Sequence, residues 1–210
     1  MSRDRLALIR ERGYDFDIAG IIEKAWQMFW VQPLLSISYT LLIFSLQLIS
    51  VAYLKDYAFL YALLLAPPLY AGYYLVANKI SRREQITYPD FLMGFNYYWP
   101  VFSIWLIGQL ITGLGIIAFI IPGIYLAVAY SFSVLMAIFG GFDFWTALEE
   151  SRKLITVRWW KFLVFTLVLL VINLLTILTL GLGLLITIPL TFYATYILFE
   201  DLTKDVFAGE

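Results

Sequence analysis

The sequence predicts an all-α integral membrane protein with six transmembrane helices and cytoplasmic amphipathic interfacial helices. Three observations lead to this prediction: the apolar composition, the lengths of the uncharged segments, and the uneven distribution of lysine and arginine. Hydrophobic residues make up 62% of the 210 residues and charged residues 14%, against about 45–50% and about 25% in soluble domains. A chain of this composition needs lipid to cover its apolar surface. Its length is compatible with one polytopic membrane domain, residues 1–210.

Four uncharged segments set the number of crossings. A crossing needs about 20 mostly apolar residues, and a charge at its centre costs about 2.5–3.5 kcal/mol on the insertion scale. Segments 33–54 and 57–78 fit one helix each, whereas segments 101–142 and 162–199 are each about twice the required length. We therefore expect the two long segments to form helical hairpins. The six predicted spans are residues 33–54, 57–78, 99–113, 116–140, 161–180 and 183–200.

Glycines mark the expected turns inside the two long segments, because glycine tolerates the backbone angles of a helix end. The last segment is expected to turn at residues 179–183. In the segment before it, both residues 112–115 and the Pro122–Gly123 pair are possible turns, and the residues alone leave this choice open. The other hairpins favour a turn at residues 113–115, with Pro122 at a kink or a helix start shortly afterwards.

The basic residues predict the orientation. Thirteen of the fourteen lysines and arginines fall on one side of the predicted spans, and only Lys55 falls on the other. Basic residues accumulate on the cytoplasmic side of membrane proteins. We therefore expect a multi-pass protein of the inner or plasma membrane, with both termini in the cytoplasm. The apolar stretch at residues 6–9 is too short for a signal-peptide core, and we expect the N-terminal segment to be retained.

A degenerate internal repeat accompanies the hairpins. Each hairpin follows an amphipathic stretch rich in tryptophan, and the late part of each hairpin carries proline followed by tyrosines, as in "PPLYAGYY", "IPGIYLAVAY" and "IPLTFYATY". The repeated unit would be an interfacial helix, a span, a turn and a proline-bearing span, used three times. Aspartate caps at residues 17 and 143, and the "TYPD" sequence at residues 87–90, indicate where these helices begin. The predicted interfacial helices are residues 17–32, 88–97 and 143–158.

The residue inventory excludes several kinds of chemistry. The chain has no cysteine and no histidine, which removes thiolate nucleophiles and the commonest metal ligand and proton shuttle. Its net charge of −1 does not indicate nucleic-acid binding. Apart from Lys161 and Glu200 at span ends, the predicted spans contain no charged residue, although such residues usually mark intramembrane enzymes and ion-coupled carriers. We therefore expect no catalytic residue, cofactor or metal site, and we expect the acidic pair Glu149–Glu150 to be solvated.

Six positions inside the spans are candidates for a structural or binding role. The polar ones should form hydrogen bonds between helices, each adding about 0.6 kcal/mol on average, and the alternative is the lining of a substrate cavity. The prolines should kink or start helices, and such interruptions also occur at binding sites of carriers. The six residues are Gln47, Gln109, Asn173, Pro68, Pro122 and Pro189.

The sequence also resembles a broad family of bacterial integral membrane proteins with no assigned activity. The resemblance covers residues 14–203 and is carried by "FDIAGIIEKAWQMFW", "IIPGIYLAVAYSFSVLMAI", "FWTALEESRKLITVRWWKF" and "GLGLLITIPLTFYATY". The family is similar to the membrane domain attached to some glycerophosphodiester phosphodiesterases. The resemblance implies a polytopic inner-membrane protein. The phosphodiesterase domain itself is missing from this sequence, so neither its metal site nor its reaction can be transferred. The most specific matches are residues 122–125, 145–152 and 159–161.

These observations lead to two functional expectations. The first is a non-enzymatic membrane protein that scaffolds or assists a membrane assembly, with a protein partner at the cytoplasmic face. Glu149, Arg152 and Lys153 of the most charged interfacial helix are the candidate partner surface. The alternative is a transporter or lipid-handling protein with a site among the proline-interrupted helices. The sequence does not indicate an oligomeric state.

Overall fold

The computed structural model describes residues 2–207, and the side chains of all of these except Ser2 and Ile177. All regular secondary structure within this range is helical. Short 3-10 helices cover Lys55–Tyr57, Tyr88–Tyr97 and Thr176–Thr179, and single π-helical turns cover Ser50–Leu54 and Tyr61–Leu65. The α-helices are α1 (Ser2–Arg12), α2 (Ile18–Val31), α3 (Pro33–Ile49), α4 (Ala66–Ser81), α5 (Tyr98–Ala118), α6 (Ile120–Ala129), α7 (Ser133–Gly140), α8 (Phe144–Thr156), α9 (Trp159–Leu175) and α10 (Leu184–Phe207).

Four helical segments are long and apolar enough to cross a membrane. They are Pro33–Tyr57, Tyr88–Ala118, Ile120–Gly140 and Leu184–Phe207. A fifth arises if α8 and α9, which meet at an angle of 102°, count as one broken span. These segments confirm the predicted all-α membrane-protein character. Residues 58–81, which hold most of the predicted second span, are not among the candidates within the described chain.

The second predicted hairpin, in residues 99–140, turns at a different residue from the one expected. Helix α5 continues through Gly113 and Gly115 to Ala118, and the chain reverses at Phe119, which has an extended backbone (φ −156°, ψ 130°). The expected turn at residues 113–115 is therefore wrong. Instead, Gly115 allows α5 to approach α6 closely, because a Cβ atom at Gly115 would lie 3.1 Å from the Cα atom of Gly123. Pro122 lies in the first turn of α6, as one of the expected alternatives states.

The third predicted hairpin, in residues 161–200, turns where the sequence indicates. The chain leaves the 3-10 helix at Thr179 and enters α10 at Leu184. Leu180 and Gly181 both have a positive φ in this turn (53° and 82°). Pro189 lies inside α10, so the prediction that this proline is part of a span helix, not of the turn, is confirmed.

The chain forms two compact units, each built from segments that are distant in the sequence. The described part of unit 1 comprises residues 2–18, 99–168 and 198–207, and it contains α1 and α6–α8. Unit 2 comprises residues 19–98 and 169–197, and it contains α3 and α4. Long helices such as α9 contribute residues to both units.

Two glycines bring backbones into direct contact in unit 2. A Cβ atom at Gly72 of α4 would lie 1.9 Å from the carbonyl oxygen of Phe91, and a Cβ atom at Gly94 would lie 2.0 Å from that of Pro68. Both distances are far below van der Waals contact. The 3-10 helix Tyr88–Tyr97 therefore packs against α4 at a separation that no other residue type permits at these two positions.

Buried tyrosines complete the core of unit 2. Tyr39, Tyr73 and Tyr193 are fully buried, and burying a hydroxyl without a partner would be costly. Their partners are Ser36 for Tyr193 (2.8 Å), Thr40 for Tyr73 (2.7 Å), and the Leu69 and Phe91 carbonyl oxygens for Tyr39 (2.8 and 3.0 Å). The polar face of α3 is therefore used for hydrogen bonds within the protein.

Two of the predicted helix caps are confirmed. Asp143 precedes α8, and its carboxylate accepts hydrogen bonds from the backbone N–H groups of Trp145 and Thr146, both 3.1 Å long. Asp90 reaches back to the backbone N–H of Thr87 (2.7 Å) and closes the start of the 3-10 helix Tyr88–Tyr97. This helix runs directly into α5, so no separate loop divides the predicted interfacial segment 88–97 from the span that follows it.

Candidate functional site

Helix α8 has one face buried in unit 1 and one face exposed. Ala147, Leu148, Leu154 and Ile155 are buried, and they recur at the spacing of one face of an α-helix. Trp145, on the other side of the helix, is 57% exposed. This amphipathic pattern fixes the rotation of α8 and determines which of its charged residues reach the surface.

Three charged residues, Glu149, Arg152 and Lys153, form what we call the charged ridge of α8. The Arg152 guanidinium donates two hydrogen bonds to the Glu149 carboxylate, of 2.7 and 2.9 Å, and Lys153 Nζ lies 3.5 Å from the same carboxylate. The hydrogen bonds from Arg152 lower the pKa of Glu149, with partial burial acting against them. The three side chains are 33%, 34% and 42% exposed. The ridge is thus internally paired and still accessible.

Glu150 behaves differently from its neighbour. Its side chain is only 6% exposed, and Arg10 of α1 donates to it over 2.5 Å. Lys153 lies 3.3 Å from its other carboxylate oxygen. The expectation that Glu149 and Glu150 are both solvated is therefore wrong for Glu150. Its charge is compensated by two cations, as a buried carboxylate requires.

Further contacts hold helix α1 against the rest of unit 1. Arg3 donates to the Thr146 hydroxyl over 2.5 Å, and Arg5 donates to the carbonyl oxygen of Val206 over 3.2 Å. Leu6, which directly follows Arg5, is fully buried. The segment after α1 is attached as well, because Arg158 donates to the carbonyl oxygen of Tyr14 over 3.1 Å.

Ser151 joins α8 to the break between α6 and α7. Its hydroxyl donates to the carbonyl oxygen of Ala129 over 2.7 Å and accepts from the backbone N–H of Phe132 over 3.2 Å. Ser151 is fully buried. The backbone groups released where the helix is interrupted at residues 130–132 would otherwise have no partner in a membrane. Ser151 therefore makes this interruption possible.

Tyr125 connects α6 with α8 and α9. Its hydroxyl lies 2.6 Å from the Thr156 hydroxyl and 3.5 Å from Arg152 Nη1. The indole of Trp159 donates to the Tyr125 carbonyl oxygen over 3.3 Å. Tyr125, Ser151, Arg152 and Trp159 all lie in the segments 122–125, 145–152 and 159–161, on which the predicted resemblance mainly depends. The signal for this cluster was thus present in the sequence, but its role as a connection between helices was not visible there.

The polar position Asn173 forms hydrogen bonds inside unit 2. Its side-chain amide donates to the Leu169 carbonyl oxygen and to the Thr191 hydroxyl, both over 2.8 Å, and its oxygen accepts from the Thr187 hydroxyl over 2.9 Å. These bonds join the end of α9 to the start of α10. The arrangement matches the expectation of a hydrogen bond between helices.

The polar position Gln109 lies at a cleft in unit 1. The cleft has a volume of about 230 Å³, and its lining includes Thr112, Tyr130 and Ser131. The Gln109 side chain is exposed. Ser131 already donates to the Val128 carbonyl oxygen over 2.8 Å. The cleft therefore combines the interrupted helix α6–α7 with one amide and several hydroxyl groups.

The remaining candidate positions are not brought together into one site. Gln47 is partly exposed on α3, and Pro68 is buried near the start of α4. Pro122 and Pro189 lie in α6 and α10. Among residues 2–207, no three aspartates and glutamates come close enough to hold a metal ion.

Comparisons with known proteins identify no similar protein. No protein-family model, no curated protein and no solved structure matches the chain significantly.

Proposed function

We propose that the chain is a six-span protein of the bacterial inner membrane with both termini in the cytoplasm. Four or five of the spans correspond to the long apolar helices described above. The remaining span would be residues 57–78, where a π-helical turn and two prolines interrupt an uncharged segment. The position of thirteen basic residues on one side supports this orientation.

The three repeated units and their interfacial helices are part of this proposal. The angle of 102° between α8 and α9 supports it, because a helix perpendicular to a span lies along the membrane surface. Trp145 and Trp160, at the start of α8 and α9, are 57% and 74% exposed. Exposed tryptophans near the ends of spans are typical of the interface between lipid and water.

The proposed activity is that of a non-enzymatic scaffold or accessory subunit of a membrane assembly. The observation that carries it is the charged ridge of α8, which is rigidly paired, exposed and placed at a right angle to α9. A preorganised row of charges loses little side-chain freedom on binding. Its partner would be a protein surface at the cytoplasmic face that carries charges of both signs in the opposite order.

Reversing the ridge tests this function. In the double variant Glu149→Arg with Arg152→Glu, the ion pair three residues apart is retained but its direction is inverted. Some proteins should copurify with the wild-type chain in mild detergent. We expect their amount to fall about tenfold or more in the double variant, because mismatched charges should cost about 1.4 kcal/mol or more of binding free energy. The control is Glu23→Lys, an exposed charge on α2. Identical sets of copurifying proteins for the reversed and control variants would contradict the scaffold function.

A second candidate function is transport or lipid handling, and the cleft at Gln109 favours it. Helix interruptions next to polar side chains recur at the binding sites of carriers, and the α6–α7 interruption lines this cleft. A bound amphiphile or solute would use the exposed amide of Gln109 as its polar contact.

A variant of Gln109 separates this candidate from the scaffold. Mass spectrometry can detect any small molecule that copurifies with the wild-type protein. Gln109→Leu is expected to reduce the bound amount of that molecule several-fold. Leu110→Ala, which changes an exposed neighbour on α5, serves as the control. Equal amounts of bound small molecule in the two variants would remove this candidate.

A further inference from the structure

The first hairpin forms an open apolar pocket between its two arms. The pocket has a volume of about 370 Å³, which lies within the range of about 300–1,000 Å³ for small-molecule sites. Five leucines, one isoleucine, Ser50 and Tyr61 line it. Ser50 donates to the Ala58 carbonyl oxygen (3.3 Å) and Tyr61 donates to the Ile43 carbonyl oxygen (3.0 Å). Because both hydroxyls already donate hydrogen bonds, the lining is suited to hydrocarbon.

Both arms of the hairpin leave α-helical geometry beside the pocket. Each arm contains one π-helical turn, Ser50–Leu54 in the first and Tyr61–Leu65 in the second, and both turns contribute residues to the lining. Single π-helical turns occur frequently at functional sites. Between them, Lys55 has a φ of 47°, which is unusual for a residue with a side chain and costs free energy. The hairpin therefore maintains an unfavourable backbone beside the pocket.

A pair of opposite charges lies in the sequence between the two segments that line the pocket. Lys55 comes directly after Leu54, which is part of the lining, and Asp56 follows it. Both side chains are exposed. The 22 residues from 33 to 54 rise roughly 33 Å as a helix, slightly more than the hydrocarbon thickness of about 30 Å. In the proposed six-span arrangement, Lys55 thus lies among the lipid headgroups of the outer leaflet, and the pocket lies among the acyl chains below it.

We propose that the first hairpin binds one phospholipid of the outer leaflet, with an acyl chain in the pocket and its phosphate against the Lys55 ammonium. Asp56 adds an acceptor for a second charge, so the headgroup is one that also carries an ammonium group, as phosphatidylethanolamine does. Opposite charges in contact make strong hydrogen bonds, and the pocket offers an acyl chain apolar contacts from both arms of the hairpin. The position of the headgroup rests on the proposed six-span arrangement, whereas the pocket itself does not.

Native mass spectrometry of the purified full chain, titrated with phosphatidylethanolamine or phosphatidylglycerol, tests the proposal. The wild-type protein should retain one phosphatidylethanolamine molecule. Leu60→Trp and Leu64→Phe, which fill the pocket from the same arm, should each reduce the bound fraction at least tenfold, and Lys55→Gln about threefold or more. Two control variants make the same kinds of substitution away from the pocket and should retain the lipid. They are Leu114→Trp on the exposed side of α5 and Lys204→Gln near the end of α10.

The outcomes are distinguishable. If both pocket-filling variants retain lipid as Leu114→Trp does, the pocket is not a lipid site. Preferential retention of phosphatidylglycerol would overturn the assignment of the headgroup to the Lys55–Asp56 pair. Because the chain has no cysteine, Lys55→Cys and Arg83→Cys can be labelled separately with a membrane-impermeant maleimide in spheroplasts. Labelling of position 55 alone supports the six-span arrangement. Labelling of position 83 alone contradicts that arrangement independently of the lipid measurement.

Discussion

Replacing Gly94 with alanine is expected to destabilise the protein by about 1–3 kcal/mol or more. The new methyl group would lie 2.0 Å from the Pro68 carbonyl oxygen, and the same change at Gly72 would place one 1.9 Å from the Phe91 carbonyl oxygen. Both obstacles are backbone atoms, which cannot move aside by changing a rotamer. The 3-10 helix Tyr88–Tyr97 would have to separate from α4 to admit either methyl group.

Thermal unfolding in detergent, followed by the amount of protein that remains monodisperse, measures this effect. The matched control is Gly113→Ala, because Gly113 lies inside α5 and a Cβ atom there would meet nothing within 4 Å. Alanine inside a helix is favoured over glycine by about 0.5–1 kcal/mol, so this variant should be as stable as the wild-type protein or slightly more so. Equal unfolding temperatures for Gly94→Ala and Gly113→Ala would refute the close contact.

Replacing Ser151 with alanine should have the second large effect. The change leaves the Ala129 carbonyl oxygen and the Phe132 N–H without the hydrogen bonds that they now form with the serine hydroxyl. A buried polar group that loses its partner costs about 1–3 kcal/mol. We expect the interruption between α6 and α7 to loosen, with faster hydrogen exchange at Phe132 and a lower unfolding temperature.

Ser38→Ala provides the comparison for Ser151→Ala. The Ser38 hydroxyl is exposed and donates only to the carbonyl oxygen of Leu35 in the preceding turn of its own helix, so its loss should change the unfolding temperature little. If the two serine variants unfold at the same temperature, then Ser151 does not support the helix interruption. Increased hydrogen exchange confined to residues 128–134 in Ser151→Ala would identify the mechanism directly.

Two similar glycine-containing strings show how far the sequence can predict this fold. The string glycine-leucine-glycine occurs at residues 113–115 and again at residues 181–183. In the second case these residues form a turn, with Gly181 at a positive φ. In the first case they remain helical, and Gly115 provides room for Gly123 of α6. Local pattern cannot separate these roles, because the turn depends on backbone angles and the helix contact depends on a neighbouring helix.

The candidate site was predictable to a similar extent. The spacing of apolar and charged residues places Glu149, Arg152 and Lys153 on α8, and Asp143 marks its start. The burial of Glu150 was not predictable, because it depends on Arg10, which lies 140 residues earlier in the chain. The role of Ser151 depends on a helix interruption 22 residues away. Periodicity within one helix therefore identifies its faces, but not the partners that those faces will meet.

The docking of α1 has a consequence for the order of events during synthesis. Arg3 and Arg5 contact residues that follow them by 143 and 201 positions. At roughly 5–20 residues per second, the Val206 contact becomes available only about 10–40 s after Arg5 has been translated. Helix α1 therefore lacks its contact with α10 while the intervening helices are being made. Its full set of contacts within unit 1 becomes available only after α10 has been made.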